Sequence, residues 1–373
     1  MEPKISEFKS FKNRIMSKLR IVNIIVLGLI SVTSFAGNPD RGGQASANQL
    51  VINGWARSSG LGWASQSSIK GIESMYMNIG GLVNTPKTDI AFARTSWLSG
   101  SGVNISSFGF AQNLGNDNAL GLSISSIDLG DIPITTVQQP NGGLGNFSPR
   151  LTNIGLGYGR KFTERITGGV LLRVYSENAS NLKAQGVAID AGIQYKTSWK
   201  TADDTHFGVS IKNIGPDVKY SGDGISIKRL NPKDNQEATV NQRIAKYNIP
   251  ALINIGGAHD IKLDKNEETN FHTLSLAANF TYNAFSLNQT TFGAEYIYKS
   301  MFMVRAGYAY EKGIMSYDTR RTASTGLMGG VTFELPYGKD GNRFALDYSY
   351  RDTRPFSGTH SIGLKMSLGN QSE

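Results

Sequence analysis

From residue 88 onward the chain alternates apolar with polar or small positions in twos, segment after segment. In TTFGAEYIYKSMFMVRAGYAY, residues 290–310, Phe292, Ala294, Tyr296 and Tyr298 alternate with Gly293, Glu295, Ile297 and Lys299. After a short break Val304, Ala306, Tyr308 and Tyr310 alternate with Arg305, Gly307, Ala309 and Glu311. Successive side chains of a strand point to opposite faces, so each segment predicts a β-strand with one aromatic and aliphatic face and one face of glycines and ionised groups. The same reading places strands at 88–99, 103–114, 118–128, 150–160, 166–176, 184–197, 204–213, 248–260, 271–281, 288–299, 302–311, 323–333, 343–351 and 359–368. Segments of about ten residues that alternate this way and are separated by turns are the pattern of an all-β, transmembrane antiparallel β-barrel, here of about 14 strands. A soluble β-sandwich alternates similarly, but fourteen evenly spaced strands exceed what it calls for.

Loop lengths point the same way. Bacterial barrels have short periplasmic turns and longer extracellular loops. Connections after odd-numbered strands include the long stretches 129–149, 214–247 and 312–322, and those after even-numbered strands include the short 115–117, 161–165 and 300–301. The connections 261–270 and 334–342, and the tight turn at 100–102, break this parity.

A strand in lipid must pair every backbone N–H and C=O with a neighbouring strand, and a closed barrel achieves this. The alternation then assigns Tyr296, Tyr298, Tyr308, Tyr310, Tyr348 and Tyr350 to lipid, some of them to the interfacial aromatic girdles. Arg173, Asp190, Glu295, Arg305, Asp347 and Arg351 fall on the lumen side as a polar network. Ile189, Ala191 and Ile193 face lipid beside Asp190, so Ile193→Arg is expected to harm assembly and Asp190→Asn to do far less. Gly155, Gly157, Gly293 and Gly363 mark bends or close approaches of an internal segment.

The start of the chain sets the compartment. Lys4, Lys9, Lys12, Arg14, Lys18 and Arg20 precede an apolar run, IVNIIVLGLISV, that ends in Ser34-Phe35-Ala36. This is the pattern of a signal peptide over 1–36, cleaved after Ala36, and the run is shorter than the ~20 residues of a spanning helix. Of the net charge of +9, six basic and two acidic residues in 1–36 account for four, leaving +5 for the exported chain. So mild an excess, outside the cytoplasm, does not call for nucleic acid; outer-membrane lipid is the expected neighbour. The absence of cysteine rules out disulfides. Residues 37–87, rich in Gly, Ser and Asn, lack sustained alternation but carry Trp55 and Trp63. Large aromatics in such a segment need a surface to pack on, which predicts an N-terminal plug or hatch within the barrel of residues 88–368, with 369–373 as a C-terminal tail.

The segments SMYMNIGGL, DLGDIPITT, FSPRLTNIGLGYGRKF and KNIGPDVKYSGDG, in this order and spacing, resemble the PorV/PorQ type of Bacteroidetes outer-membrane protein, itself similar to the FadL fatty-acid transporters. Asn78-Ile79-Gly80-Gly81-Leu82 departs from the Asn-Pro-Ala-Gly-Leu usual in that family. The resemblance implies a FadL-like, fourteen-stranded barrel of the bacterial outer membrane serving type IX protein secretion, with the translocon barrel and the C-terminal signal domains of cargo as partners. Loop 214–247 is the expected contact surface, because Tyr220, Ile225, Ile227 and Leu230 offer apolar anchors among Lys228, Arg229 and other charges. A FadL-type passage for hydrophobic molecules is the alternative reading, against which the charged lumen weighs mildly.

An enzyme is not expected. His206, His259, His272 and His360 lie on different strands, and no nucleophile elbow, closely spaced metal-ligand set or cofactor-binding fingerprint is present. A lipid deacylase built from His360 and a serine on a neighbouring strand is the one catalytic alternative, since such constellations are assembled by geometry. No cofactor or metal is expected.

Overall fold

The computed structural model of the protein describes residues 39–198, 204–230, 236–264, 271–338 and 340–369. The expected signal peptide and the tail beyond Gly369 lie outside the described residues. The strands are β1 (Thr88–Ser96), β2 (Asn104–Gly115), β3 (Asn118–Asp128), β4 (Ile132–Pro133), β5 (Asn146–Phe147), β6 (Arg150–Lys161), β7 (Ile166–Ala179), β8 (Leu182–Ser198) and β9 (Asp204–Ile214). They continue as β10 (Ser226–Leu230), β11 (Glu237–Asn241), β12 (Leu252–Lys262), β13 (His272–Asn283), β14 (Gln289–Tyr298), β15 (Phe302–Glu311), β16 (Ser324–Tyr337), β17 (Asn342–Thr353) and β18 (Thr359–Leu368). Fourteen of them form a closed antiparallel barrel, each paired with its neighbour in sequence order and β1 closing on β18; β4–β5 and β10–β11 are separate two-stranded hairpins in the connections. Among the described residues no helix is long and apolar enough to cross a membrane.

The expected strands are all present. The main shift is in the eighth barrel strand, which starts at Leu252 rather than 248 because the chain before it crosses the barrel mouth: Asn248 bridges to Ala45, and the Pro250 carbonyl accepts from Asn213 Nδ2 at 3.0 Å. Two of the connections that broke the length parity shorten to 263–271 and 338–341. The long connections 129–149, 215–251 and 312–323 share one end and the short ones 116–117, 162–165 and 299–301 the other, so the first is the outer end and the second the inner. Asn116 and Asp117 both adopt positive φ, 51° and 62°, the backbone of a type I′ hairpin that asparagine and aspartate tolerate.

Side chains divide as the period of two requires. Phe92, Phe108, Ile124, Ile154, Val174 and Val187 sit in register across six adjacent strands and are all exposed on the outward face. Exposed aliphatic rows on a closed barrel without an edge are what lipid selects. Ile189 and Ile193 are outward, 53% and 55% exposed, and Asp190 between them is 3% exposed and inward. Ile193→Arg is therefore expected to cost about 2–4 kcal/mol near the bilayer midplane, read as loss of the heat-modifiable folded band in gels. A normal folded fraction would place Ile193 off the lipid face.

Residues 39–87 pass through the barrel in short turns: a four-residue α-helix (Ala56–Ser59) and 3-10 turns at Pro39–Arg41, Asn48–Val51, Gly62–Ser67, Gly71–Met75 and Ile79–Asn84. The path starts at the outer end, where Ala45 bridges Asn248, and leaves at the inner end to become β1. Ile79–Asn84 packs on β3, β6, β7 and β8, Gly62–Ser67 on β9 and β12 to β15, and Ala56–Ser59 on β16, β17 and β18. A glycine- and serine-rich chain suits this role, since it can turn every few residues and lie close to the wall.

Candidate functional site

Two unlike walls enclose the internal segment. On β1, β2, β3 and β6 many lumen-facing residues are small, among them Ala91, Ala93, Ala111 and Ala119, all buried. Against them pack Trp55, Ile72, Met75, Ile79 and Leu82 of the internal segment. Contact is close: a Cβ on Gly109 would lie 2.4 Å from Ile72 Cγ1 and 2.8 Å from Trp55 Cη2, and one on Gly121 would lie 2.6 Å from Met75 Sδ. Any larger residue there must displace the internal segment. Gly155, Gly157, Gly293 and Gly363, read from the sequence as possible close approaches, are of this kind: the last three face Ile79, Leu61 and Ala56.

The remaining wall is ionic. Arg173 pairs with Asp190 at 2.8 Å, both buried, and Asp190 also accepts the Asn213 backbone N–H at 2.7 Å. Arg305 pairs with Glu295 at 3.1 Å and donates to Thr332, whose hydroxyl bonds Asp347. Arg351 lies over the Trp97 ring at 4.9 Å. All six residues expected to form a lumen network therefore lie in the lumen, in three separate groups. The alternation did not reveal their second partner: cationic groups of the wall donate to backbone carbonyls of the internal segment. Arg173 reaches Met75 O at 2.9 Å, Arg305 reaches Arg57 O at 2.9 Å, Arg351 reaches Asn53 O at 3.1 Å, and Lys212 bonds Tyr76 O. Charge-assisted bonds are stronger than neutral ones, so this wall grips the internal segment from several sides.

Lys212 escaped the sequence reading. Its ammonium sits 4.1 Å from the Tyr76 ring and 4.9 Å from that of Trp63, which stack on each other at 5.6 Å. A buried ammonium against two aromatic faces is a cation–π arrangement. The signal was its register, because Lys212 follows Ser210 on the inward side while Val209 and Ile211 point outward. Trp55 is buried against the small-residue wall, and Trp63 is half-buried and packs on Tyr76 and Lys212.

At the inner end the lumen opens into a cavity of about 590 Å³ whose lining includes Lys70, Asp89, Glu334, Arg343 and Lys365. Asp204, His206 and Asp260 also line it, with donor atoms within 4.8 Å of one another. Sequence spacing hid this set, since Asp260 reaches it from the strand beside β9. It is the one group among the described residues that could hold a metal ion, but Lys196 lies 2.9 Å from Asp204 and compensates that carboxylate, and His206 Nε2 is already hydrogen-bonded to Asp260 at 3.0 Å. The histidines are each hydrogen-bonded: His206 to Asp260, His259 to Thr205, His272 to Tyr296 and His360 to Tyr348.

Loop 214–247 is more ordered than its composition suggested, because β10 and β11 pair within it and Lys183–Ser221 and Val218–Tyr247 bridges pin its base. Tyr220 is not part of its outer surface. The phenol turns inward to bond Glu177 and Ser46, and burial pushes its pKa up to about 12. Ile225 and Ile227 are half-buried, and Lys228, Arg229 and Leu230 are exposed at the hairpin.

No family model matches the chain, and none of the curated proteins does. Solved structures do match. The Pseudomonas putida toluene transporter TodX is similar with a TM-score of 0.54 at 13% identity, over 87% of this chain and 100% of that one. A TodX mutant described as a monoaromatic hydrocarbon channel gives 0.52 at 14% identity, over 86% and 100%. A Pseudomonas aeruginosa FadL homologue gives 0.49 at 12% identity, over 84% and 98%. At such identities the likeness shows the fold alone: a closed antiparallel β-barrel like that of the two TodX structures.

Proposed function

We propose that the protein resides in the bacterial outer membrane and passes hydrophobic molecules, with residues 39–87 as its plug. One observation carries the reading. Part of the wall of β1, β2, β3 and β6, at Ala91, Ala93, Ala111, Ala119 and the facing glycines, is small and apolar and is covered by five apolar side chains of a segment that is not part of the wall. A hydrophobic solute can replace those side chains against the alanines and glycines of the wall. The similarity to barrels described as hydrocarbon channels supports the same reading. The test uses a protein whose Trp63, Trp97 and Trp199 are changed to Phe, leaving Trp55 against this wall. Long-chain fatty acid or toluene should shift Trp55 emission saturably, and cells carrying the intact protein should take up the labelled solute faster than cells without it. No saturable shift and no added uptake would sink the reading.

A second reading, capture of type IX secretion cargo at the outer end, is favoured by exposed apolar side chains on the outer connections. Val137 and Leu230 are 95% and 61% exposed beyond the barrel rim. Replacing 223–241 by a Gly-Ser turn spares the pinned base and changes closure entropy only logarithmically. Under this reading the variant loses binding of cargo C-terminal domains by about tenfold, a change worth ~1.4 kcal/mol, and keeps solute uptake. Unchanged binding would remove the hairpin from any partner surface.

A further inference from the structure

Toward the outer end, the contact between the internal segment and β2, β3 and β6 changes character. Ser107 of β2 pairs in register with Ser125 of β3, which pairs with Asn153 of β6, and the two serine hydroxyls lie 3.1 Å apart. From these three the lumen side of each strand continues toward the inner end with Gly109 and Ala111 on β2, with Ser123, Gly121 and Ala119 on β3, and with Gly155 and Gly157 on β6. Each strand thus carries polar groups first and then glycine or alanine. Against the polar part lies a cavity of about 20 Å³, lined from the internal segment by Gln49, Trp55, Met75 and Tyr76 and from the wall by the three serines, Asn153 and Arg173. Such a volume holds one small polar group, the size of a water or a hydroxyl.

The lining is rich in unpaired polar atoms. Gln49, Tyr76 and Asn153 are 5%, 7% and 8% exposed, and Gln49 Nε2, Gln49 Oε1, Tyr76 Oη and Asn153 Oδ1 make no hydrogen bond among the described residues. Each buried polar atom left unpaired costs free energy, so several in one cavity call for an occupant that pairs with more than one of them. Their chemistry narrows the occupant. An amide N–H donates, two amide oxygens accept and a phenol does either, so the occupant has to donate and accept from one compact group. A hydroxyl does both, whereas a carboxylate only accepts and an ammonium only donates. The one charge in the lining, Arg173, is already paired with Asp190 and with the Met75 carbonyl. Trp55 and Met75 belong both to this cavity and to the apolar contacts with the alanines and glycines. A solute that displaces them therefore has its polar end beside the unpaired groups and its apolar body against the small residues. We propose that this cavity is a subsite for the hydroxyl of an uncharged amphiphilic solute. The proposal rests on the reading of a passage for hydrophobic molecules, and its test lets the two fail separately.

The experiment titrates the full exported chain, with Trp55 as its only tryptophan and in neutral detergent, with cyclohexanol, methylcyclohexane and cyclohexanecarboxylate while Trp55 emission is read. Each solute partitions into the micelle equally for every variant, so a change in affinity ratio between variants reports the protein alone. In Gln49→Leu and, separately, in Asn153→Leu, the affinity for cyclohexanol relative to methylcyclohexane is expected to fall about tenfold, because the substitution removes partners of the hydroxyl. The two variants lie on different elements, and heat-modifiability selects those that fold. A ratio unchanged in the folded variants would mean that only water completes these groups, which overturns the subsite and leaves solute passage standing. If the substitutions weaken cyclohexanecarboxylate more than cyclohexanol, the cavity recognises an anion and the proposal is equally overturned. No saturable response to any of the three solutes would remove both the subsite and the reading it rests on.

Discussion

Removing residues 40–84 is expected to turn a nearly closed barrel into an ion-conducting pore. Small barrels are filled by their own wall side chains, and barrels of sixteen or more strands leave an aqueous channel; a closed barrel of fourteen lies between. Here the space is taken by a separate segment that touches most of the wall, from β3 round to β18. Its loss leaves Arg173, Asp190, Lys212, Arg305 and Arg351 facing a space that water can fill, and water can satisfy their donors and acceptors. Barrel closure depends on the β1–β18 pairing, from Thr88↔Leu368 to Ser96↔His360, and does not involve the plug. The shortened protein should insert, show the heat-modifiable band, and carry stepwise currents in a planar bilayer where the intact protein is nearly silent. An inserted barrel with no added current would mean that the outer connections, rather than the plug, close the pore.

The second large effect is on stability. Asp190→Ala is expected to cost about 3–5 kcal/mol, because it leaves Arg173, 2% exposed, as an uncompensated buried charge. It also strips the acceptor from Asn213 N–H at the irregularity between β8 and β9. The double change Asp190→Ala with Arg173→Met should recover much of the loss, since removing both charges avoids the penalty. Urea unfolding in detergent measures it, and a single variant as stable as the parent would show that water reaches the pair. Asp190→Asn is also expected to weaken the barrel. The alternation placed Asp190 in a polar lumen network, but its burial against Arg173 beneath the plug could not be read from it.

This difference marks what the sequence could and could not carry. The strands were legible because lipid on one side and a filled lumen on the other impose a period of two on every segment. Ile189, Asp190 and Ile193 could be assigned to their faces from parity alone. The partners across the lumen were not legible. Arg351 meets the carbonyl of Asn53 across 298 positions, and Arg305 meets that of Arg57 across 248. Backbone carbonyls leave no mark in composition, so a pattern argument finds the cation but not what it holds. Tyr220 failed for a related reason. It sits in a long charged loop and reads as an outer anchor, but Glu177 at the end of β7 supplies an acceptor that only the fold brings near. Asp204, His206 and Asp260 met through pairing of β9 with β12, a neighbour relation that skips the whole loop between them.

The plug is held unevenly. Toward β1, β2, β3 and β6 it meets the wall mainly through apolar side chains, with a few hydrogen bonds such as Thr95 Oγ1 to Gly54 O and Ile72 N–H to Asp89, so separation there costs mostly hydrophobic area. Toward the ionic wall it is held at Asn53, Arg57, Met75 and Tyr76 by bonds that would have to break, and its ends are fixed by the Ala45–Asn248 bridge and by continuity with β1. Motion that keeps those bonds is a rocking about the ionic wall. The gap it opens is a crescent along one flank of the barrel rather than a round bore. If the protein passes hydrophobic solutes as proposed, such a slit would take flat or slender molecules in file and reclose without the plug ever leaving the barrel.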